Sequence, residues 1–233
     1  MKITALGSGS SGNCYLVDLG SSYLMLDCGV RIKELMSKVD INQIELIYLS
    51  HHHYDHDREY GNKRFRAVPR IDGSINQGFN ENRLYKQFRG LYSMYEFDIE
   101  HGGVANSGLV FQNHKTCETL IYATDFTNCI WNLRKFKPNV VIVECNYCKE
   151  VVLSDDNFNR QVENIYRHLS LDGTIKFLKT LNLSKCEEII LVHVSSNYGN
   201  PEFMRETVEA EFGIKTGVAL KNGGISYGGK ENV

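Results

Sequence analysis

Short apolar runs alternate with polar turns along this chain, and the lengths of the runs separate strands from helices. Ile44-Glu45-Leu46-Ile47-Tyr48-Leu49, Leu120-Ile121-Tyr122-Ala123 and Ile189-Ile190-Leu191-Val192 are too short for helices and rich in β-branched and aromatic residues, as buried strands are. Strands are predicted at 2–6, 14–19 and 23–27, a β-meander start interrupted by the Gly/Ser-rich turn 7–13. Further strands are predicted at 44–49, 95–100, 107–112, 119–123, 140–144 and 188–193. Helical spacing takes over at 31–38, where Ile32, Leu35, Met36 and Val39 share a face. It returns at 157–169 and 172–182, and again after Asn200-Pro201-Glu202, where proline suits the first turn of a helix running to about residue 212. A closing strand pair turns at Gly223-Gly224.

Composition narrows the setting. With 233 residues, 42% of them hydrophobic, the chain can bury one sizeable core, and a single domain over 1–233 is expected. No apolar run reaches the length of a membrane span, and Met1-Lys2-Ile3-Thr4 leads into a strand rather than a signal peptide. A soluble, cytoplasmic protein is therefore expected, with no membrane partner. Its seven cysteines are scattered and read as reduced thiols. Cys145-Asn146-Tyr147-Cys148 has the spacing of a metal or redox pair, but no second pair accompanies it, so buried or incidental thiols are the preferred reading. A net charge of −2 excludes a bulk polycation, so any attraction for phosphate has to be local.

Candidate chemistry concentrates at 50–57, Ser-His-His-His-Tyr-Asp-His-Asp, directly after the strand at 44–49. Residues two apart in extended chain face the same side, so His51 and His53 can grip one metal ion while Asp55 and His56 turn toward a second. Imidazole and carboxylate ligands favour zinc, or manganese or iron as oxygen ligands increase. Histidine tags are terminal and lack such interleaved acids.

This H-x-H-x-D-H pattern resembles that of the metallo-β-lactamase superfamily, and the superfamily's other elements follow in order, each at a strand end. They are Asp27 in Leu24-Met25-Leu26-Asp27, His101 after Tyr95–Glu100, Asp125 in Tyr122-Ala123-Thr124-Asp125, and His193 in Leu191-Val192-His193. The opening Leu6-Gly7-Ser8-Gly9-Ser10-Ser11-Gly12-Asn13, together with Glu144-Cys145-Asn146 and His168-Leu169-Ser170, looks like the YycJ (WalJ) branch, which is associated with 5′-to-3′ exonuclease activity on DNA.

The resemblance implies an α/β fold of the α+β type, a four-layered αββα sandwich. It also implies a site with His51, His53 and His101 on one divalent ion, Asp55, His56 and His193 on the other, and Asp125 bridging both. A hydroxide shared by the two ions would attack phosphorus, and Asp27 would hold the outer nitrogen of a metal-bound imidazole. Asp55, His168 and Glu144 become the candidate catalytic residues, with His168 protonating the leaving oxygen and Glu144 its partner.

Between His56 and His101 the chain departs from its relatives. The segment is short and basic, with Arg58, Lys63, Arg64, Phe65, Arg66 and Arg70. Its aromatic residues Tyr60, Phe65, Tyr85, Phe88 and Tyr92 suit single-strand stacking and equally a solvated surface over a few buried rings. Arg64, Arg66 and Ser170 are the candidate substrate contacts. The Gly/Ser loop can cradle a phosphate with its amides, although a tight turn beside the metals is the plainer reading.

The expected activity is phosphodiester hydrolysis on nucleic acid, DNA over RNA. A small-molecule metallohydrolase, such as a thioesterase, lactonase or cyclic phosphodiesterase, is the alternative, because fold does not fix substrate.

Overall fold

The computed structural model describes residues 1–74, 84–88, 90–153 and 157–228. In chain order the strands and helices are β1 (Ile3–Gly7), β2 (Cys14–Asp18), β3 (Tyr23–Leu26), α1 (Ile32–Lys38), β4 (Ile44–Leu49), α2 (Tyr54–Asp57), β5 (Arg70–Asp72), β6 (Leu84–Phe88), β7 (Tyr92–Asp98), β8 (Ser107–Asn113), β9 (Glu118–Ala123), β10 (Val140–Glu144), α3 (Lys149–Leu153), α4 (Phe158–Arg167), α5 (Leu171–Thr180), β11 (Glu188–Val192), α6 (Pro201–Phe212), β12 (Lys215–Ala219) and β13 (Ile225–Ser226).

They form two sheets, one in the order β1-β2-β3-β4-β5 and the other in the order β13-β12-β11-β10-β9-β8-β7-β6. The first begins as an antiparallel meander, β1 to β3, and turns parallel at β4 and β5. The second is antiparallel from β6 to β9 and parallel from β9 to β12.

Side-chain alternation explains the layering. On β10, Val140 and Ile142 face the first sheet, where they share a core with Tyr15, Leu24, Leu46 and Tyr48. Val141 and Val143 point the other way, onto Phe177 and Leu178 of α5 and Met204 and Val208 of α6. A strand covered on both faces must be apolar at successive positions, which is why 140–144 reads as an unbroken run. The first sheet packs its outer face on Leu35 of α1 and on Phe65. Helix, sheet, sheet and helix thus make the four expected layers.

The C-terminal ends of the parallel strands β3, β4, β9, β10 and β11 gather at one edge of the sandwich, where α/β sheets commonly bind ligands. Three of these strands end on a left-handed residue that is not glycine: Asp27 after β3 (φ 58°), Asp125 two residues after β9 (φ 54°) and His193 after β11 (φ 54°). Such a conformation costs roughly 1–3 kcal/mol per residue, and here it turns each side chain off its strand into the same space.

Two glycines allow the Gly/Ser loop to dock against that edge. A Cβ on Gly29 would meet the Asp55 carbonyl oxygen at 1.6 Å, and one on Gly12 would meet the Gly29 carbonyl oxygen at 2.5 Å. The loop is pinned by Asn13 N–H donating to the Asp55 carbonyl at 2.7 Å and by Gly29 N–H donating to that of Asn13 at 2.8 Å.

Four elements were not anticipated, α2, β5, β6 and α3. The expected substrate stretch 58–94 lies partly outside the described residues, at 75–83 and 89, as do the side chains of Tyr85 and Phe88. Among the described residues no helix is long and apolar enough to cross a membrane.

Candidate metal centre

The turn after β4 arranges the consecutive motif. His51 is buried, His53 caps the start of α2, and α2 brings Asp55 and His56 round to the opposite side of the cleft. Ligand-type atoms of His51, His53, His101 and Asp125 lie within 4.8 Å of one another, as do those of Asp55, His56, Asp125 and His193. A third such group joins Asp125 and His193 to Glu144 and His168. Asp125 belongs to all three.

In the first group, His53 Nδ1 stands 3.0 Å from His51 Nε2 and 3.1 Å from His101 Nε2. His101 Nδ1 is 2.8 Å from the Arg167 carbonyl, which only accepts, so that nitrogen carries the proton and Nε2 presents its lone pair. Burial lowers the affinity of His51, His53 and His101 for a proton, and neighbouring imidazoles add to the effect at His51. Three neutral rings therefore aim nitrogens at one point. Ligands about 2.0–2.1 Å from a tetrahedral zinc stand roughly 3.3 Å apart, close to the spacing seen, so these residues fit a divalent cation.

The second group is governed by carboxylates. Burial opposes charge on His56 and His193, but Asp125 and Asp27 outweigh it at His56 and hold its imidazolium well above the usual range. Asp125, Asp55 and Glu144 do the same for His193, whose value is pushed up to about 10. Reciprocally, His193 and His56 overcome burial at Asp125 and hold its carboxyl well below the usual range. His193 Nε2 lies 3.2 Å from Asp55 Oδ2, and His56 Nε2 lies 3.5 Å from Asp55 Oδ2 and from Asp125 Oδ2. Cations held here would take over the role of those protons.

Asp27, wholly buried, gathers donors from both sheets. Its carboxylate accepts from Ser50 N–H at 2.7 Å, from Tyr122 O–H at 2.5 Å and from His56 Nδ1 at 2.6 Å. Glu144, at the end of β10, accepts from Phe126 N–H at 2.9 Å and Leu169 N–H at 3.1 Å, and its Oε1 lies 2.7 Å from His168 Nδ1. Although burial raises the Glu144 value, His168 keeps it below the usual range. An ionised Glu144 can only accept, which places the proton on His168 Nδ1 and turns Nε2 away from it.

The open cleft over this centre, about 280 Å³, is lined by His53, Asp55, His101, Asp125, His168 and His193, and also by Ser10, Tyr54 and Arg167. None of those last three was singled out as a site residue from sequence. Arg167 had only its place beside His168 to mark it.

The structure does not bring the expected substrate residues to this cleft. Arg64 and Arg66 are exposed, flanking a Phe65 buried under the outer face of the first sheet. Ser170 caps α5 by accepting from Gly173 N–H at 3.1 Å. His52, with partners Asp57 and Asp72, and His114, with Ser93, stand apart from the centre. Cys145 and Cys148 are both buried, and burial pushes the Cys145 thiol up to about 12.

A model of the metallo-beta-lactamase superfamily matches residues 7–58, from the Gly/Ser loop through the histidine motif. Residues 7–58 thus match the superfamily's pattern. Exodeoxyribonuclease WalJ of Streptococcus pneumoniae serotype 2 is 24% identical over 246 aligned positions, covering 91% of this chain and 90% of the relative. Among solved structures, the metallo-beta-lactamase fold protein YhfI from Bacillus subtilis superposes with a TM-score of 0.70 at 16% identity, over 97% of this chain and 98% of that one. The short form of human tRNase Z superposes with a TM-score of 0.58 at 13% identity, over 84% and 93%. The metallo-β-lactamase fold thus extends well beyond the segment that the superfamily model matches.

Proposed function

We propose that this metallo-β-lactamase-fold hydrolase cleaves phosphodiester bonds in nucleic acid, with DNA favoured over RNA. Similarity to WalJ supports an exonuclease, and the 5′-to-3′ direction is carried over from the YycJ (WalJ) resemblance. The observation that carries the reading is His168, held by the buried Glu144 at 2.7 Å beside Asp125 and His193. A leaving ribose oxygen needs a proton, and an imidazole at the rim of the cleft is placed to give one.

Two divalent ions, zinc favoured with manganese or iron as substitutes, would supply an activated water and polarise the phosphoryl group. His51, His53 and His101 would hold the first, Asp55, His56 and His193 the second, with Asp125 between them. Asp27 fixes the His56 ring through Nδ1, and the Arg167 carbonyl fixes His101. As the bond from phosphorus to the leaving oxygen breaks, His168 Nε2 gives its proton to that oxygen. Glu144 holds Nδ1 throughout, so the ring keeps its orientation as the proton moves.

The test is to incubate the purified protein with end-labelled single- and double-stranded DNA and RNA, with zinc or manganese. Release of nucleotides from a DNA end supports the proposal. Hydrolysis of thioesters or lactones, with no diester cleaved, would replace it by the small-molecule reading, which the modest 280 Å³ cleft favours.

A further inference from the structure

A second cavity, of about 530 Å³, lies on the other side of the Gly/Ser loop from the metal cleft. Its walls carry Arg31, Lys38, Arg58 and Lys221 against the single carboxylate of Glu34. In a chain whose net charge is −2, this is a local concentration of positive charge. Arg31 is offset by its ion pair with Glu34 at 2.7 Å. Lys38 and Lys221 are exposed. Arg58 Nε is buried with no hydrogen-bond partner among the described residues, a donor left over by the fold.

The cavity and the metal cleft share no lining residue, but two pairs of adjoining residues link them. Ser10 lines the cleft and Ser11 lines the groove, and both are exposed without a hydrogen-bond partner among the described residues. Beside them, Tyr54 of the cleft, 69% exposed, stacks under the Arg58 guanidinium of the groove at 4.5 Å. An aromatic face, a hydroxyl-bearing turn and a row of cations in sequence match a strand with stacking bases and regularly spaced phosphates.

We propose that this groove is the track for a single DNA strand whose scissile phosphate sits at the metal centre. Bases would pass over Tyr54, and phosphates would run past Ser10 and Ser11 to Arg58, Lys38 and Lys221. The inference rests on the phosphodiesterase reading and assigns the strand contacts to residues other than Arg64 and Arg66, which line neither cavity.

The test uses the full metal-loaded chain with Lys38→Ala/Lys221→Ala and, as a control, Arg64→Ala/Arg66→Ala. Fluorescence anisotropy across a salt series follows a labelled single-stranded DNA whose phosphorothioate linkages resist cleavage. Turnover of bis(p-nitrophenyl) phosphate, which fills only the cleft, is measured in parallel. The lysine variant is expected to bind the strand about tenfold or more weakly, and its log K against log salt slope should flatten by about 1.4, at about 0.7 per lost phosphate contact. Aryl diester turnover should stay at the parental value, and the control should match the parent in both assays.

Equal strand affinity and slope in parent and lysine variant would overturn the groove while aryl diester turnover leaves the hydrolytic centre intact. Weakened strand binding in a protein that cleaves no diester would support the groove and reject the hydrolytic reading. Displacement of the strand by polyglutamate as readily as by unlabelled DNA would overturn nucleic acid as the occupant and assign the groove to an acidic protein segment.

Discussion

His51, His53 and His101 meet as three neutral rings, each depleted of protons by burial. Across Asp125, His56 and His193 meet Asp27, Asp55 and Glu144 as charged partners. The same ligand chemistry is thus held ready in two ways. The first half is an array of lone pairs that a cation can enter directly. The second is an ion-pair network in which protons occupy the positions that a cation would take, so metal binding there must release them. Burial leads in the first half, with neighbouring imidazoles adding to it at His51, whereas the second depends on which carboxylates surround it.

The largest effect should come from the residue common to both halves. Asp125→Asn keeps the volume and removes the charge, and should lower metal content from about two ions per chain toward one or fewer, with turnover down about 100-fold or more. Elemental analysis with diester kinetics checks this, and near-normal turnover would refute a bridging role.

His168→Ala should separate metal holding from proton delivery. It should keep both ions, lose about 100-fold in turnover on a natural diester, and lose far less on a nitrophenyl ester, whose leaving group needs no proton. Equal losses on the two substrates would remove His168 as the acid.

Asp27→Asn acts directly on His56 through Nδ1, and on His51 only at one remove, through the Ser50 hydroxyl that lies 3.0 Å from Asp27 and 2.9 Å from His51 Nδ1. It should weaken the second ion by about 10- to 100-fold and the first by much less, read as two separated transitions in a metal titration. A parallel weakening of both would erase the distinction between the halves.

The smallest effect is one of pH. His56 and His193 have folded values above the ordinary histidine value. In metal-free protein their charge therefore contributes stability that is complete below about 6.5 and lost as pH rises through the folded value, about 10 for His193. Thermal melts with a chelator should show the melting temperature falling from about pH 7 to about pH 10, and the fall should be smaller with metal bound.

How much of this centre could be read from sequence depended on whether its residues are neighbours in the chain. The motif from His51 to His56 is consecutive and follows a plain strand. Asp27, His101, Asp125 and His193 stood out only through a resemblance, because a lone residue at a strand end carries no signal for the left-handed turn that aims it. Tyr122 reads as one more apolar strand residue, yet its hydroxyl reaches Asp27 at 2.5 Å from the opposite sheet.

Helix α2 spans four residues and α3 five, too few to show a period, and β5 contributes one buried residue, Ile71. Arg64 and Arg66 illustrate the converse limit. Their charge was visible, but not the burial of Phe65 that fixes them away from the cleft.

The main-chain amide of His193 donates to the Ser8 hydroxyl at 2.9 Å, across 185 positions of sequence. On a ribosome this separation becomes a delay. The three-histidine half and Asp125 are all synthesised by residue 125, whereas Asp55 and His56 wait for a partner almost 70 residues further on. A nascent chain passing through that interval holds every ligand of the first group and only part of the second, with the Arg167 carbonyl that orients His101 still to come and the Ser8 loop without its His193 tether. The ligands of the first group are thus made before those of the second, which is complete only when the end of β11 delivers His193.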